Sequence, residues 1–148
     1  MNKFFGTILA VLVMNTVALP VFSADPQREL DVLVEKWTEA LISEDIDGFL
    51  SCYWDDAERL MYFPGQEPVV VNGIDQMRAE QQRGNDQSDF ASMNLIYDEP
   101  VRFFPNEGRP TYVYPNSRFG FMDIFEFEKR GGRYRIIRQY LFPHPPAE

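Results

Sequence analysis

The sequence predicts a single α+β domain in which a cone-shaped, strongly curved mixed or antiparallel sheet wraps around N-terminal helices and encloses a pocket. Three observations indicate this class. An amphipathic helical pattern comes first, the segment DIDGFLSCYWDDA (residues 45–57) reads as a turn and a short helix, and several aromatic-rich strands follow. The 148 residues leave room for one domain once the first segment is set aside.

Residues 1–24 have the composition of a secretory signal peptide. Lys3 supplies a positive start, an apolar run covers residues 4–19, and the small residues Ser23 and Ala24 end the segment. A membrane anchor is the alternative, but Pro20 and polar residues interrupt the run. We therefore expect an exported protein, periplasmic or secreted, with its domain over residues 25–143 and an exposed tail over residues 144–148.

The charge of the chain argues against two classes of partner. Without Lys3, the mature chain has 13 basic and 23 acidic residues, a formal charge of −10. Phosphate backbones and anionic membranes both attract basic surfaces, so we expect neither nucleic-acid binding nor membrane binding after signal removal.

Cys52 is the only cysteine, so an intramolecular disulfide is impossible. A single histidine in the chain, His144, leaves little to activate a thiolate, and we expect Cys52 to be a small buried residue in a helix. His144, between two prolines, is expected to be solvated.

Two helices are predicted at the start of the domain. Asp25 followed by Pro26 is a good helix start, and an apolar face at helical spacing extends the helix to about Ser43 through Leu30, Leu33, Val34, Trp37 and Leu41. Asp45 can cap a second helix. Its inner face would carry Ile46, Phe49, Leu50 and Tyr53, with Asp55 and Asp56 at its end.

A hairpin and a third helix should follow. Residues 59–63 and 68–71 read as strands joined by the turn at Pro64 and Gly65. A weaker helix is predicted from about Ile74 to Arg83, stopped by Gly84, with a loop over residues 84–89.

Strands dominate the last 60 residues. We expect them over residues 91–104 with a break at Pro100, 111–114, 119–129 and 133–142. Gly131 and Gly132 supply the final hairpin, where positive φ angles are needed.

The order of these elements resembles the nuclear transport factor 2-like superfamily. The resemblance rests on the helix followed by Tyr-x-Asp-Asp-Ala (residues 53–57), on Asn72-Gly73 opening the small helix, and on a meander ending in Gly-x-Tyr-x-Ile-x-Arg (residues 132–138). Within the superfamily the chain looks most like the SnoaL-like and ketosteroid isomerase-like branch. Its members include isomerases, dehydratases, cyclases and dimerising adaptors, so the resemblance indicates a fold more strongly than an activity.

Carrying over the isomerase site tests that activity. By this resemblance, Trp37 stands where the isomerases have the tyrosine that donates to the developing oxyanion, and Tyr53 matches a supporting pocket tyrosine. The catalytic base falls at Met61 or Tyr62, neither of which can abstract a proton from carbon at neutral pH. Asp123 matches the second oxyanion donor, so one of three key positions is kept and steroid isomerase activity is disfavoured.

Asp123 is the candidate catalytic residue. Alternation places Phe121, Phe125 and Phe127 on its strand face, so its carboxylate would be desolvated and its pKa raised. It could act as an acid or donate to a ligand, or it could bond a neighbouring side chain for structural reasons. The predicted ligand-binding residues around it are Trp37, Tyr53, Met61, Phe63, Phe121, Phe125 and Gln139.

The last strand offers two faces. The resemblance places Arg135, Ile137, Gln139 and Leu141 in the cavity. The opposite set, Tyr134, Ile136, Arg138 and Tyr140, would then join Met122 and Ile124 on the outer sheet face, where the superfamily commonly dimerises. With reversed parity, Arg138 would become a cavity cation, able to hold a carboxylate ligand or pair with Asp123.

The expected function is binding of a small, largely apolar molecule in the pocket, without ketosteroid isomerase activity. No metal or other cofactor is expected, because the carboxylate pairs lack the spacing of a calcium loop and no glycine-rich phosphate loop is present. Two alternatives stay open: a lyase or isomerase that uses Asp123 as acid or base, and a dimeric interaction module.

Overall fold

A computed structural model of the chain describes residues 25–87, 102–106, 108–116 and 121–143. The predicted signal peptide, the C-terminal tail with His144, and most of the strand predicted over residues 91–104 lie outside the described residues.

The first two helices begin where the sequence predicts. Helix α1 spans Pro26–Ile42, and the Asp25 side chain accepts a hydrogen bond from the Gln27 backbone N–H at 3.1 Å. Its buried face carries Leu30, Val34, Trp37 and Ala40. Helix α2 spans only Ile46–Leu50, capped by Asp45, which accepts from the Gly48 N–H at 2.9 Å.

The predicted second helix was too long. Strand β1 already begins at Tyr53 and spans Tyr53–Met61, so Asp55 and Asp56 lie in a strand. Tyr53 is buried in the observed strand, as it would be in the predicted helix, because either position can face the same core. Cys52 is fully buried, as expected, but lies in the turn between α2 and β1, and burial raises its pKa.

The predicted hairpin is confirmed, and the third helix is longer than predicted. Strand β2 (Val69–Asn72) pairs antiparallel with β1, and Gly65 in the turn between them has a φ of 72°. Helix α3 spans Gly73–Gln87 and continues through Gly84. A glycine inside a helix costs only about 1 kcal/mol, and the hydrogen bond from Gln81 Nε2 to Asn85 Oδ1 at 2.8 Å spans it.

The remaining strands are β3 (Arg102–Phe104), β4 (Thr111–Asn116), β5 (Phe121–Arg130) and β6 (Arg133–Pro143). In the described residues the strands form one six-stranded sheet, in the order β2-β1-β6-β5-β4-β3. Strands β1 and β6 are parallel and the other pairs are antiparallel. The mixed sheet and N-terminal helices confirm the predicted fold class.

The β5–β6 hairpin contains the feature that positions the site. Gly131 and Gly132 have φ angles of 56° and 80°, as the turn prediction requires. Farther along, Glu126 pairs with Arg138 but Phe127 pairs with Ile136, so Ile137 is an extra residue on β6. Such a bulge changes which residues face the core on its two sides.

Because of the bulge, each of the two predicted sets of β6 residues faces the core along only part of the strand. Before it, Ile136 is fully buried and Tyr134 packs against the core, while beyond it Gln139 is buried and Leu141 packs against the core. The earlier assignment of Ile136 to the outer face is therefore wrong, because strict alternation fails at Ile137. We call the side of the sheet that carries Ile136 and Gln139 and packs against α1 the inner face.

The core lies between the inner face and the helices. The Trp37 ring of α1 contacts the Phe125 ring of β5 edge-on, with ring centroids 5.0 Å apart. It also contacts the Phe49 ring of α2, with ring centroids 5.5 Å apart. No helix among the described residues is both long and apolar enough to cross a membrane.

Candidate functional site

Five polar side chains meet inside this aromatic core. They come from α1, β1, β5 and β6, and we call them the inner polar cluster: Trp37, Tyr53, Arg59, Asp123 and Gln139. All five are buried; Asp123 is 4% exposed and Arg59 is 7% exposed. Burying so many polar groups is costly unless they satisfy one another.

Gln139 is the centre of the cluster. Its Oε1 accepts hydrogen bonds from the Tyr53 hydroxyl at 2.6 Å and from Arg59 Nε at 2.9 Å. Its Nε2 donates to Asp123 Oδ1 at 2.7 Å. Since Oε1 already faces two donors and Nε2 faces a carboxylate, the orientation of the amide is fixed by its partners.

Burial governs the ionisation of Asp123. Desolvation raises its pKa to about 6, against the lowering effects of the Gln139 hydrogen bond and the Arg59 charge. The carboxyl group can therefore gain or lose a proton close to neutral pH. Its Oδ2 accepts no hydrogen bond from the described residues, so this oxygen is the one that can receive a proton or face a ligand.

Tyr53 remains a neutral donor. Burial raises the pKa of its hydroxyl to about 12, even though the Arg59 charge lowers it. The hydroxyl accepts from Trp37 Nε1 at 2.7 Å and from Arg59 Nη2 at 3.4 Å. The Trp37 N–H thus points at Tyr53, and it would reach a ligand only by giving up this contact, which differs from the oxyanion-donor position that the resemblance implied.

Arg59 is the residue that sequence reasoning missed. Its guanidinium lies over the Phe49 ring, 5.0 Å from the centroid, and bonds the neutral oxygens of Gln139 and Tyr53. The signal was available, because Arg59 is two residues before Met61 and strand alternation puts both on one face. A charged residue type suggested the surface instead.

The remaining predicted ligand-binding residues differ in how deeply they are buried. Phe125 is fully buried and Met61 is buried, while Phe63 and Phe121 are half-buried. Met61 is an inner-face residue at the position where the resemblance places a catalytic base. Tyr62, the other residue considered there, stacks on Phe142 with ring centroids 4.5 Å apart.

Arg138 lies on the opposite side of the sheet. It forms ion pairs with Glu58 at 2.7 Å and with Glu126 at 3.5 Å. The alternative that made it a cavity cation paired with Asp123 is therefore wrong, because the bulge restores the outward direction at Arg138. Arg59 holds the interior position that the alternative assigned to Arg138.

The described part of the chain contains no group of three or more His, Cys, Asp or Glu side chains placed to hold a metal ion. What the cluster offers chemically is one carboxyl group that titrates near neutrality, one buried cation and three neutral hydrogen-bonding groups. Such a set can orient a polar group of a ligand, or move a single proton.

Known protein structures share this architecture. An NTF2-like protein of unknown function from Silicibacter pomeroyi is 18% identical with a TM-score of 0.64, and the match covers 80% of this chain and 95% of that one. An NTF2-like protein of unknown function from Shewanella oneidensis is 16% identical with a TM-score of 0.60, over 79% and 98% of the chains. A ketosteroid isomerase-like protein from Erwinia carotovora is 14% identical with a TM-score of 0.58, over 80% and 96%.

These similarities show the class of protein: the chain has the nuclear transport factor 2-like fold. No family model matches the sequence, and no curated protein matches it. At identities below 20%, the solved structures establish the architecture and leave the activity to the site itself.

Proposed function

We propose that this chain is an exported single-domain protein that binds one small, largely apolar molecule on its inner face, without ketosteroid isomerase activity. The observation that carries the proposal is the inner polar cluster, a few polar groups from four elements set among aromatic rings. Small-molecule sites are typically apolar walls with a small number of placed polar groups. The export step rests on the signal-like composition of residues 1–24.

The polar groups have capacity beyond what the fold uses. The Asp123 carboxylate has four lone-pair sites, and Gln139 Nε2 is the one described donor to it. Apolar residues at these positions would give the core as much stability as the buried polar groups do. We therefore infer that the cluster is kept for an interaction with a ligand.

The inner face of β1 supports the proposed lack of ketosteroid isomerase activity. Met61 is the buried side chain where the resemblance places the base, and a thioether cannot take a proton from carbon. Arg59, two residues earlier, is a permanent cation and cannot serve as a base either.

Native mass spectrometry of the mature protein, purified from its own export compartment, tests the proposal. We expect one retained small molecule per subunit, with an apolar body, that is released on denaturation. Phe125→Ala, which removes an aromatic wall, should release it, whereas Val32→Ala on the exposed face of α1 should retain it. Protein that carries no ligand from that compartment would contradict the proposal.

A lyase or isomerase is the second candidate, favoured by the pKa of about 6 at Asp123. A carboxyl group that titrates near neutrality can both accept and return one proton, which is sufficient for an easy proton shift. Turnover of the retained molecule should then disappear in Asp123→Asn and persist in Glu58→Gln on the outer face. Unchanged turnover in Asp123→Asn would eliminate this candidate.

Homodimerisation through the outer sheet face is a separate proposal. The stacked rings of Tyr62, Phe142 and Tyr140 form an aromatic strip there, beside Ile124 in the strand register. Sedimentation equilibrium should give a dimer for the native chain and a monomer for Phe142→Glu. A native monomer would exclude it.

A further inference from the structure

We propose that Arg59 is an anion-binding subsite, so that the molecule bound on the inner face carries a carboxylate attached to its apolar body. This inference rests on the proposed small-molecule site and names the chemical class of its ligand. It is carried by the burial of the guanidinium, by the neutrality of its partners and by the position of Gln139.

The partners of Arg59 are unusual for a buried cation. Removing a guanidinium from water is expensive, and a carboxylate partner normally offsets the cost. Arg138 and Arg130 on this sheet have such partners: Arg138 pairs with Glu58, and Arg130 pairs with Asp56 at 2.7 Å. Arg59 is more deeply buried than either, and no carboxylate of the described residues lies within ion-pair distance of it.

Gln139 lies between Arg59 and the Asp123 carboxylate. Its Oε1 faces Arg59 and its Nε2 faces Asp123, so the amide stands between the two charges. Arg59 uses Nε and Nη2 for these internal contacts, and Nη1 donates to no described residue. A guanidinium presents parallel N–H groups that match a carboxylate, which makes a ligand carboxylate the complementary group.

The groups around Arg59 accept a ligand carboxylate as a second negative charge only when Asp123 is protonated. Tyr53 on β1 and Tyr114 on β4, opposite Asp123, stay neutral because burial raises the pKa of each to about 12. Trp37 of α1 and Gln139 of β6 are neutral at all relevant pH values. Asp123 is thus the one member of this set that changes charge near neutrality, and a ligand carboxylate should bind together with a proton on Asp123.

Three carboxylates of different shape, each paired with its neutral primary amide, test the subsite: benzoate, cinnamate and octanoate. Calorimetric titration of the unliganded mature protein at pH 5.5 and 7.5 measures each Kd. We expect one pair or more to favour the carboxylate at least tenfold at pH 5.5, with less preference at pH 7.5. Arg59→Gln should remove the preference, and the matched outer-face variant Arg138→Gln should keep it.

The outcomes separate the inference from the proposed function. Equal binding of acid and amide would show an inner site without an anion subsite, which overturns the inference and leaves the proposed function standing. A preference that survives in Arg59→Gln would also overturn it. Binding of no compound in any pair would contradict both. If Arg59→Gln does not fold, Arg59→Lys provides the test, because a retained charge without the planar fork should weaken the preference.

Discussion

Arg59 and Arg138 are neighbours across the paired strands β1 and β6, yet they lie on opposite faces of the sheet and have different partners. Arg59 pairs in register with Gln139, and Arg138 pairs in register with Glu58. The outer arginine is half-exposed and joined to two carboxylates. The inner arginine is buried and bonded to neutral oxygens.

The carboxylates show the same contrast. On the outer face, Arg130 lowers the pKa of Asp56, while on the inner face burial raises the pKa of Asp123 to about 6. Exposed ion pairs of the first kind contribute little to stability. Inside the protein, Arg59 and Asp123 have hydrogen-bond partners but no ion-pair partner among the described residues, and that is the arrangement expected of a binding site.

The largest effect is expected at the centre of the cluster. Gln139→Leu should lower the free energy of unfolding by about 4 kcal/mol, because it leaves the Arg59, Asp123 and Tyr53 groups without their common partner. Urea denaturation measures the change. The same substitution at Gln82, exposed on α3, should cost less than about 0.5 kcal/mol. A small cost at Gln139 would show that the buried cluster does not depend on Gln139 as its common hydrogen-bond partner.

The next effect depends on pH. The folded-state pKa of Asp123 is raised above its ordinary value of 3.8, so the native chain loses stability as the pH rises from about 4 through 6. Asp123→Asn should lack this loss, which amounts to about 3 kcal/mol for a shift of roughly two pKa units. Denaturation curves at pH 4 and pH 7 measure it.

Asp56→Asn is a control variant, because the contribution of Asp56 to the free energy of unfolding changes with pH in the opposite direction to that of Asp123. Because Arg130 lowers the pKa of Asp56, the ionised Asp56 carboxylate stabilises the folded state at neutral pH. This stabilisation disappears as the pH falls below about 4. Parallel pH profiles for the native chain and Asp123→Asn would refute the assigned desolvation.

A smaller effect is expected at Tyr53. Tyr53→Phe should cost about 2 kcal/mol, because Trp37 Nε1 loses its acceptor and Gln139 Oε1 loses one of two donors. Tyr134→Phe keeps the ring beneath the Lys129 ammonium and should cost less than about 0.5 kcal/mol. Thermal unfolding compares the two variants, and equal costs would remove the distinction between these hydroxyls.

The smallest effect belongs to the outer face. Arg138→Gln should change the free energy of unfolding by less than about 1 kcal/mol, and the change should shrink further in high salt. Urea denaturation at low and at high ionic strength measures it. A cost that equals that of Arg59→Gln would contradict the division between the two faces.

The sequence predicts the elements well where one local signal decides them. Asp25 and Pro26 begin α1, the Gly131-Gly132 pair makes the final turn, and alternation alone buries Asp123 beside Phe125. These features depend on caps, positive φ angles and strand periodicity, which are local properties of the chain.

The bulge at Ile137 and the interior place of Arg59 are not local. Nothing in the residues RYRIIRQY marks the extra residue, because the bulge arises from pairing with both β1 and β5. Arg59 is tolerated inside only because Gln139, 80 positions later, and Tyr53 supply its acceptors. Residue type alone argues for the surface, so tertiary partners decide the outcome.

The two tryptophans allow a direct measurement of the central claim, that the inner face binds a small molecule. Trp37 belongs to the inner polar cluster, whereas the Trp54 N–H donates to the Glu128 carbonyl at 2.9 Å and its ring contacts Arg130 and Arg135. We would follow both indole resonances in ¹⁵N NMR spectra at pH 5.5 while adding whichever of benzoate, cinnamate and octanoate binds most tightly in the calorimetric titrations. We expect a saturable shift of the Trp37 resonance with Trp54 unchanged. A shift of Trp54 alone, or of neither resonance, would show that the inner face is not the binding site.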